Sequence, residues 1–276
     1  PGIFVGERLG TWSEGAPAVA IALDPIDGTT LTSKGLPGAL SVIAGARTAQ
    51  PGERALAPIP SMYMEKIAVG PRVKEGTGTI RLDAPIDHNL ELIALKLDKR
   101  VRDLVVCVLD RPRHADLIAA IRRTGAAIRM IGDGDVSGAI APSMPDSGVD
   151  VYMGIGGSPE AVLAAAAIKC LGGEMQARMW PRDDDERQKL VADGHGDYLG
   201  RVYGTEDMAR GDGIMFVATG ITDNPLLRGV TVNGPIAVTH SVVMRSYSHT
   251  VRYIKAFHDL RHKTIRLHSE GGDRRL

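Results

Sequence analysis

Asp24-Pro25-Ile26-Asp27-Gly28-Thr29-Thr30 stands between two apolar runs, residues 18–23 and 39–46, and its reading decides the fold. The first run reads as a strand that delivers Asp24 at its end. Pro25 fixes the backbone there, so that Asp27 returns toward Asp24 instead of alternating away from it. Gly28 lets the chain pass close to whatever the two acids hold, and Thr29 and Thr30 add hydroxyls suited to a phosphate or a water. From these residues alone two readings are open. One is an Asx-type turn punctuated by Pro and Gly. The other is a site for a hard divalent ion, since two carboxylates in one buried turn repel unless a cation joins them.

Outward from this turn, three strand-loop-helix units follow from residue 101, and each loop carries polar chemistry. Residues 104–109 read as a buried parallel strand, and Arg111-Pro112-Arg113-His114 turns into a helix over 115–123. Residues 126–131 form the next strand, with Gly132-Asp133-Gly134-Asp135 leading to a helix over 136–141. The third strand, 149–153, runs into the loop Gly154-Ile155-Gly156-Gly157. The helix after it has Ser158 as its N-cap and Pro159 at its first position, and it ends at Gly172-Gly173. A doubly wound sheet gathers such loops at the carboxyl ends of its strands, where ligands bind.

The remaining chain is plainer. An edge strand is expected at residues 3–5, an apolar segment at 61–69 and a short strand at 80–82. A helix is expected over 86–97 with Asp87 as its cap. The acidic run 183–186 reads as a solvated surface. A strand is expected at 214–218, a turn-rich excursion at 225–234, half-buried antiparallel strands at 241–246 and 250–258, and disorder at 271–276.

The chain has 276 residues, 43% hydrophobic and 24% charged, which fits one large domain or two modest ones. Its formal net charge is zero, so no global field draws it to nucleic acid or an anionic membrane, and any anion site is local. No apolar run is long enough to span a membrane and no export signal is present, so a cytoplasmic protein is expected. Cys107 and Cys170 both lie in apolar segments and read as buried thiols in a reducing compartment.

Taken one by one, the loops allow more than one use. Gly154 to Ser158 offers backbone N–H groups and a helix start to an anion, but the pattern fails as a dinucleotide fingerprint. Arg111 and Arg113 flank a proline that fixes them for forked hydrogen bonds to phosphate, or are exposed loop arginines. Asp133 and Asp135 suit helix capping or sugar hydroxyls, His114 suits capping or packing, and Glu160 suits the macrodipole of its helix.

Asp-Pro-Ile-Asp-Gly-Thr at residues 24–29 resembles the metal motif of the lithium-sensitive, metal-dependent sugar and inositol phosphatases. Together with 30–35, Met62-Tyr63-Met64-Glu65-Lys66, 111–114, 132–135 and Gly154-Ile155-Gly156-Gly157-Ser158-Pro159-Glu160, the chain resembles the bacterial class II fructose-1,6-bisphosphatases along nearly its whole length. The resemblance implies an α/β fold with layered α-β-α-β-α arrangement, one mixed sheet plus one doubly wound sheet. The expected division is a metal-binding phosphatase domain at 1–100, a doubly wound substrate domain at 101–235, and C-terminal strands at 236–276. It implies Mn2+ or Mg2+ held by Asp24, Asp27 and Glu160, and hydrolysis of the 1-phosphate of fructose 1,6-bisphosphate in gluconeogenesis, with Asp27 and Thr29 catalytic. Substrate contacts transfer to Asp27, Gly28, Thr29, Tyr63, Arg111, Pro112, Arg113, Asp133, Gly134, Asp135 and Gly157. A homo-oligomer, dimer or tetramer, is expected, with no nucleic-acid or membrane partner. The family's further acidic ligands around a Gly-Glu-Gly-Glu segment have no counterpart before Asp24, so the chain is expected to be a fragment. Rival readings are a sedoheptulose-1,7-bisphosphatase or inositol-monophosphatase-like enzyme, and a sugar-phosphate-binding chain with impaired turnover.

Overall fold

A computed structural model describes residues 6–10, 13, 15–50, 52–75, 77–262, 266–269 and 272–275. The edge strand expected at 3–5 lies outside them. In chain order the elements are β1 (Ala18–Asp27), α1 (Thr29–Ser33), β2 (Leu40–Thr48), β3 (Tyr63–Val69), α2 (Pro71–Lys74), α3 (Ile86–Leu97), β4 (Val105–Leu109) and α4 (Ala115–Thr124). They continue as β5 (Ala127–Ile131), α5 (Asp135–Ile140), β6 (Val151–Gly157), α6 (Ser158–Leu171), β7 (Glu174–Met179), α7 (Asp184–Ala192), β8 (Val202–Gly204) and α8 (Thr205–Met208). The last are β9 (Ile214–Gly220), β10 (Thr231–Asn233), β11 (Ile236–Arg245), β12 (Thr250–Asp259), β13 (Arg266–Ser269) and β14 (Gly272–Arg275).

Two six-stranded sheets carry the molecule. One runs β1-β2-β9-β11-β10 with β12 on β11, and the other runs β5-β4-β6-β3-β7-β8. The α/β class and the two-sheet plan therefore stand, but the strand directions fall differently from expectation. Every pairing in the first sheet is antiparallel. The second is the mixed one: β4, β5 and β6 run parallel, as the unbroken apolar run of β4 leads one to expect, while β3 is antiparallel to both β6 and β7. The sheets also cut the chain differently from a division at residues 100 and 235. β3 lies in the middle of the second sheet, and β9 lies inside the first.

α6 lies between the sheets. Its alanine-rich middle, Ala161 to Ala167, is buried on all sides, which is why it lacks an amphipathic stripe. A core of Leu40, Val42, Met64, Tyr152, Leu163, Phe216 and Val242 fills that central layer. A second core, with Ile67, Leu90, Ile93, Val106, Ile121 and Val151, joins α3 and α4 to the far face of the second sheet. Four of the five expected layers are thus present. Among the described residues no helix covers the outer face of the first sheet, where Ile21, Ile43 and Met215 are exposed.

Five local expectations are corrected. Gly154 to Gly157 is not a free loop: it continues β6, in register with Tyr63 to Lys66 of β3. The N-cap of α6 is Gly157, because the Ser158 hydroxyl is spent on the Ser61 carbonyl. Pro85, not Asp87, precedes α3, and Asp87 Oδ1 instead accepts from His88 N. Residues 80–82 form no strand, since the Gln176 side chain takes up Ile80 O and Leu82 N (2.7 and 2.8 Å) and Asn89 takes up Arg81. In the tail, where disorder is expected, β13 and β14 pair as a ribbon.

Candidate active site between the two sheets

The acidic turn is a β-bulge. Asp24 pairs with Val42 and Asp27 with Leu40, so three steps along β1 face two along β2. In a regular strand residues three apart point to opposite faces. The extra residue returns Asp27 to the face of Asp24, the same one on which Val42 and Leu40 are buried. Ile26 N donates to Asp24 Oδ1 at 3.0 Å, which holds the bend. Gly28 then turns at φ 90° into α1, with Ala39 too close for a side chain to be comfortable there. Thr29 and Thr30, at the start of α1, are exposed, whereas Asp27 is 4% exposed.

The opposite wall is built by β6, α5 and α6. Glu160, in the first turn of α6, folds back so closely over Gly157 that a Cβ there would run into its carboxylate. Asp135 opens α5 and is 6% exposed, with both oxygens engaged: Lys66 Nζ donates to one and the Tyr152 hydroxyl to the other. A Cβ at Gly156 would strike that carboxylate, so the glycines of β6 serve close approach. The loop before α5 reaches the first wall, where Thr30 N donates to Asp133 Oδ2 at 3.2 Å. Gly134, at φ 83°, lies against the Gly38 carbonyl.

Arg113 donates through Nε and Nη2 to Ile155 O (3.2 and 2.8 Å) and lies over the Tyr63 ring, 4.9 Å from its centroid. Trp180 also meets Tyr63 edge-on, with ring centroids 6.4 Å apart. Arg111 donates to Asp110 O and Gly132 O (2.9 and 2.6 Å) and faces Asp133 at 3.6 Å. Pro112 starts the short turn between these arginines. His114 is fully buried. Its Nδ1 donates to Leu109 O and its Nε2 accepts from Ile155 N, both at 2.7 Å, and burial lowers its pKa. It is a structural histidine, as one of its two sequence readings has it.

The electrostatics tie the walls together. The Asp27 carboxyl is raised well above its ordinary range, first by burial and then by Asp135, Asp24, Glu160 and Asp133. Glu160 is raised too, chiefly by burial, with Lys66 opposing and Asp135 and Asp24 adding. Asp27 Oδ2 and Glu160 Oε2 are both buried without a hydrogen-bond partner. Two orphaned, hard oxygens among mutually repelling carboxylates fit a divalent cation, although among the described residues no three His, Cys, Asp or Glu side chains close on a common point. Asp24 sits beside this pair, more exposed.

Of the residues singled out from sequence, the structure brings Asp24, Asp27, Asp133, Asp135 and Glu160 into one field, and Tyr63 and Arg113 into contact beside Gly157. Asp183 to Glu186 is the capped start of α7, where Asp183 accepts from Glu186 N at 2.8 Å and half-buried Glu186 accepts from Met62 N at 3.1 Å. Lys66 was quoted from the sequence only within the motif at 62–66 and given no role. The signal was a lone lysine sharing strand parity with Met64 and Ala68, both fully buried.

The sequence pattern of the family described as bacterial fructose-1,6-bisphosphatase, glpX-encoded, matches residues 1–258. The chain is 42% identical over 271 residues to the class 2 fructose-1,6-bisphosphatase of Haemophilus influenzae, covering 94% of this chain and 78% of the relative. It is 40% identical over 274 residues to fructose-1,6-bisphosphatase 1 class 2 of Escherichia coli K12, covering 95% and 79%.

Proposed function

Because the chain belongs to the family of glpX-encoded bacterial fructose-1,6-bisphosphatases, we propose that the acids between its two sheets are where the 1-phosphate of fructose 1,6-bisphosphate is hydrolysed. The enzyme is a phosphoric monoester hydrolase acting on fructose 1,6-bisphosphate, of a metal-dependent kind. The observation that carries the assignment of the site is the pair of buried, partnerless oxygens on Asp27 and Glu160, one from each wall.

Asp27, Glu160 and Asp24 would hold Mn2+ or Mg2+. Such an ion supplies Lewis-acid polarisation of the phosphoryl group, acidifies the attacking water and shields the leaving oxygen. The chain's own part is positioning. The bulge presents Asp24 and Asp27 together. The exposed Thr29 hydroxyl orients the water, and the backbone at Gly28 and Thr29 receives the reacting phosphate. Arg113, already fixed by Ile155 O and Tyr63, and Arg111, fixed by Gly132 O, hold the far phosphate with their neighbours Pro112 and Gly157, while Asp133 accepts from the sugar hydroxyls. Asp135 contributes by holding Gly134 and Asp133 in place.

No helix among the described residues is long and apolar enough to cross a membrane. Cys107 and Cys170 are free and buried, each pushed up to about 12 by burial, which supports a reducing, cytoplasmic setting. A dimer or tetramer is our reading of its assembly, to be measured by sedimentation. The function is tested by phosphate release from fructose 1,6-bisphosphate, sedoheptulose 1,7-bisphosphate and inositol monophosphate with Mn2+. We expect the fructose substrate to be turned over fastest, and preference for inositol monophosphate would overturn the role given to Arg111 and Arg113.

A further inference from the structure

Lys66 is 2% exposed and, among the described residues, is the one buried lysine or arginine. It stands in the middle of β3, opposite Gly154 of β6 and Ala177 of β7. A buried ammonium is costly unless its protons are all but spent, and here they are spent on two separate elements of the site. One bond goes to the Asp135 carboxylate at the start of α5, and the other, at 2.7 Å, goes to the Gly157 carbonyl at the start of α6.

Each end of this bridge leads to a different group of site residues. Through Asp135 it sets the turn of Gly134 and Asp133, and Asp133 accepts from Thr30 N across the gap between the walls. Through Gly157 it sets the backbone on which Glu160 lies folded. We propose that Lys66 is a positioning residue for the phosphatase centre: it fixes Glu160 for its cation by tying the first turn of α6 to Asp135. The proposal rests on the reading of Glu160 as a metal-holding residue.

Charge alone and position alone make opposite demands. As a bare cation near Glu160, Lys66 repels a divalent ion, so its removal would tighten metal binding. As a bridge, its removal frees Gly157 and Glu160, and loss of such a supporting contact weakens metal affinity by about tenfold or more.

The test is Mn2+ binding by the full chain, followed by calorimetry, for the wild type, Lys66→Met, Glu160→Gln and the double variant, with circular dichroism reporting the fold. Glu160→Gln is expected to weaken binding. Lys66→Met should weaken it about tenfold and should add nothing on the Glu160→Gln background, because it acts through that residue. Equal or tighter binding by Lys66→Met, or losses that simply multiply in the double variant, would overturn the inference while leaving the metal reading intact. No binding by the wild type, or no effect of Glu160→Gln, would sink the metal reading and this inference with it. If Lys66→Met does not fold, Gly156→Ala replaces it. Its Cβ pushes the Asp135 carboxylate away from the bridge with all charges kept, and it must weaken Mn2+ binding in the same direction or the inference falls.

Discussion

The end of β1 and the start of α5 each bury an aspartate to similar depth, Asp27 at 4% and Asp135 at 6% exposure, but they treat it in opposite ways. Asp135 has a lysine on one oxygen and a tyrosine on the other. Asp27 has an oxygen with no partner and four other acids in its field. Equal burial therefore carries different chemistry: a satisfied acid holds structure, and an unsatisfied one among like charges is poised for a cation.

The sharpest way to break this comparison is to make the same small change at both places. Asp27→Asn keeps the shape and removes the charge, and phosphate release with Mn2+ should fall by about a thousandfold or more. Asp135→Asn leaves Lys66 buried without its counter-charge, and should cost about 3 kcal/mol in urea unfolding. Comparable stability losses at both positions would erase the distinction.

The distinction also has a sign in pH. With its pKa raised in the folded state, Asp27 keeps a proton that the unfolded chain gives up above the ordinary value of 3.8. Its contribution is therefore complete below that value and is lost as pH rises toward the folded pKa. Without divalent ions, Asp27→Asn should melt above the wild type at neutral pH, and the gap should shrink in acid.

Two smaller changes sharpen the satisfied side. Arg113→Lys loses the fork to Ile155 O and its place over Tyr63. KM for fructose 1,6-bisphosphate should rise about tenfold with kcat nearly unchanged, as expected for about 1.4 kcal/mol of binding. Tyr152→Phe removes one bond to Asp135 and should cost about 1 to 2 kcal/mol of stability, with Mn2+ activation unaltered.

Much of this contrast was legible in the sequence. Pro25 and Gly28 announced the bend that places Asp24 and Asp27 on one face, the unbroken apolar run 104–109 announced β4, and the strand-loop-helix pattern after it announced β5 and β6. The rest depended on partners distant in the chain. Gly154 to Gly157 looks like a loop until β3, some ninety residues earlier, is laid beside it. Asp133 and Asp135 look alike two residues apart, yet one accepts from Thr30 and the other from Lys66 and Tyr152. Neither bond is local, so no periodicity records it. The strand directions of the two sheets were misjudged for the same reason, because β3 runs antiparallel between β6 and β7, and β9, which follows β8 of the second sheet, joins the first between β2 and β11.

The central claim is that Asp27, with its partnerless Oδ2, holds the cation from the β1 side. Calorimetric titration of Mn2+ into the Asp27→Asn chain, beside the wild type, tests it most directly. The account predicts binding by the wild type and its loss in the variant with the fold retained; binding by Asp27→Asn as tight as by the wild type would contradict it.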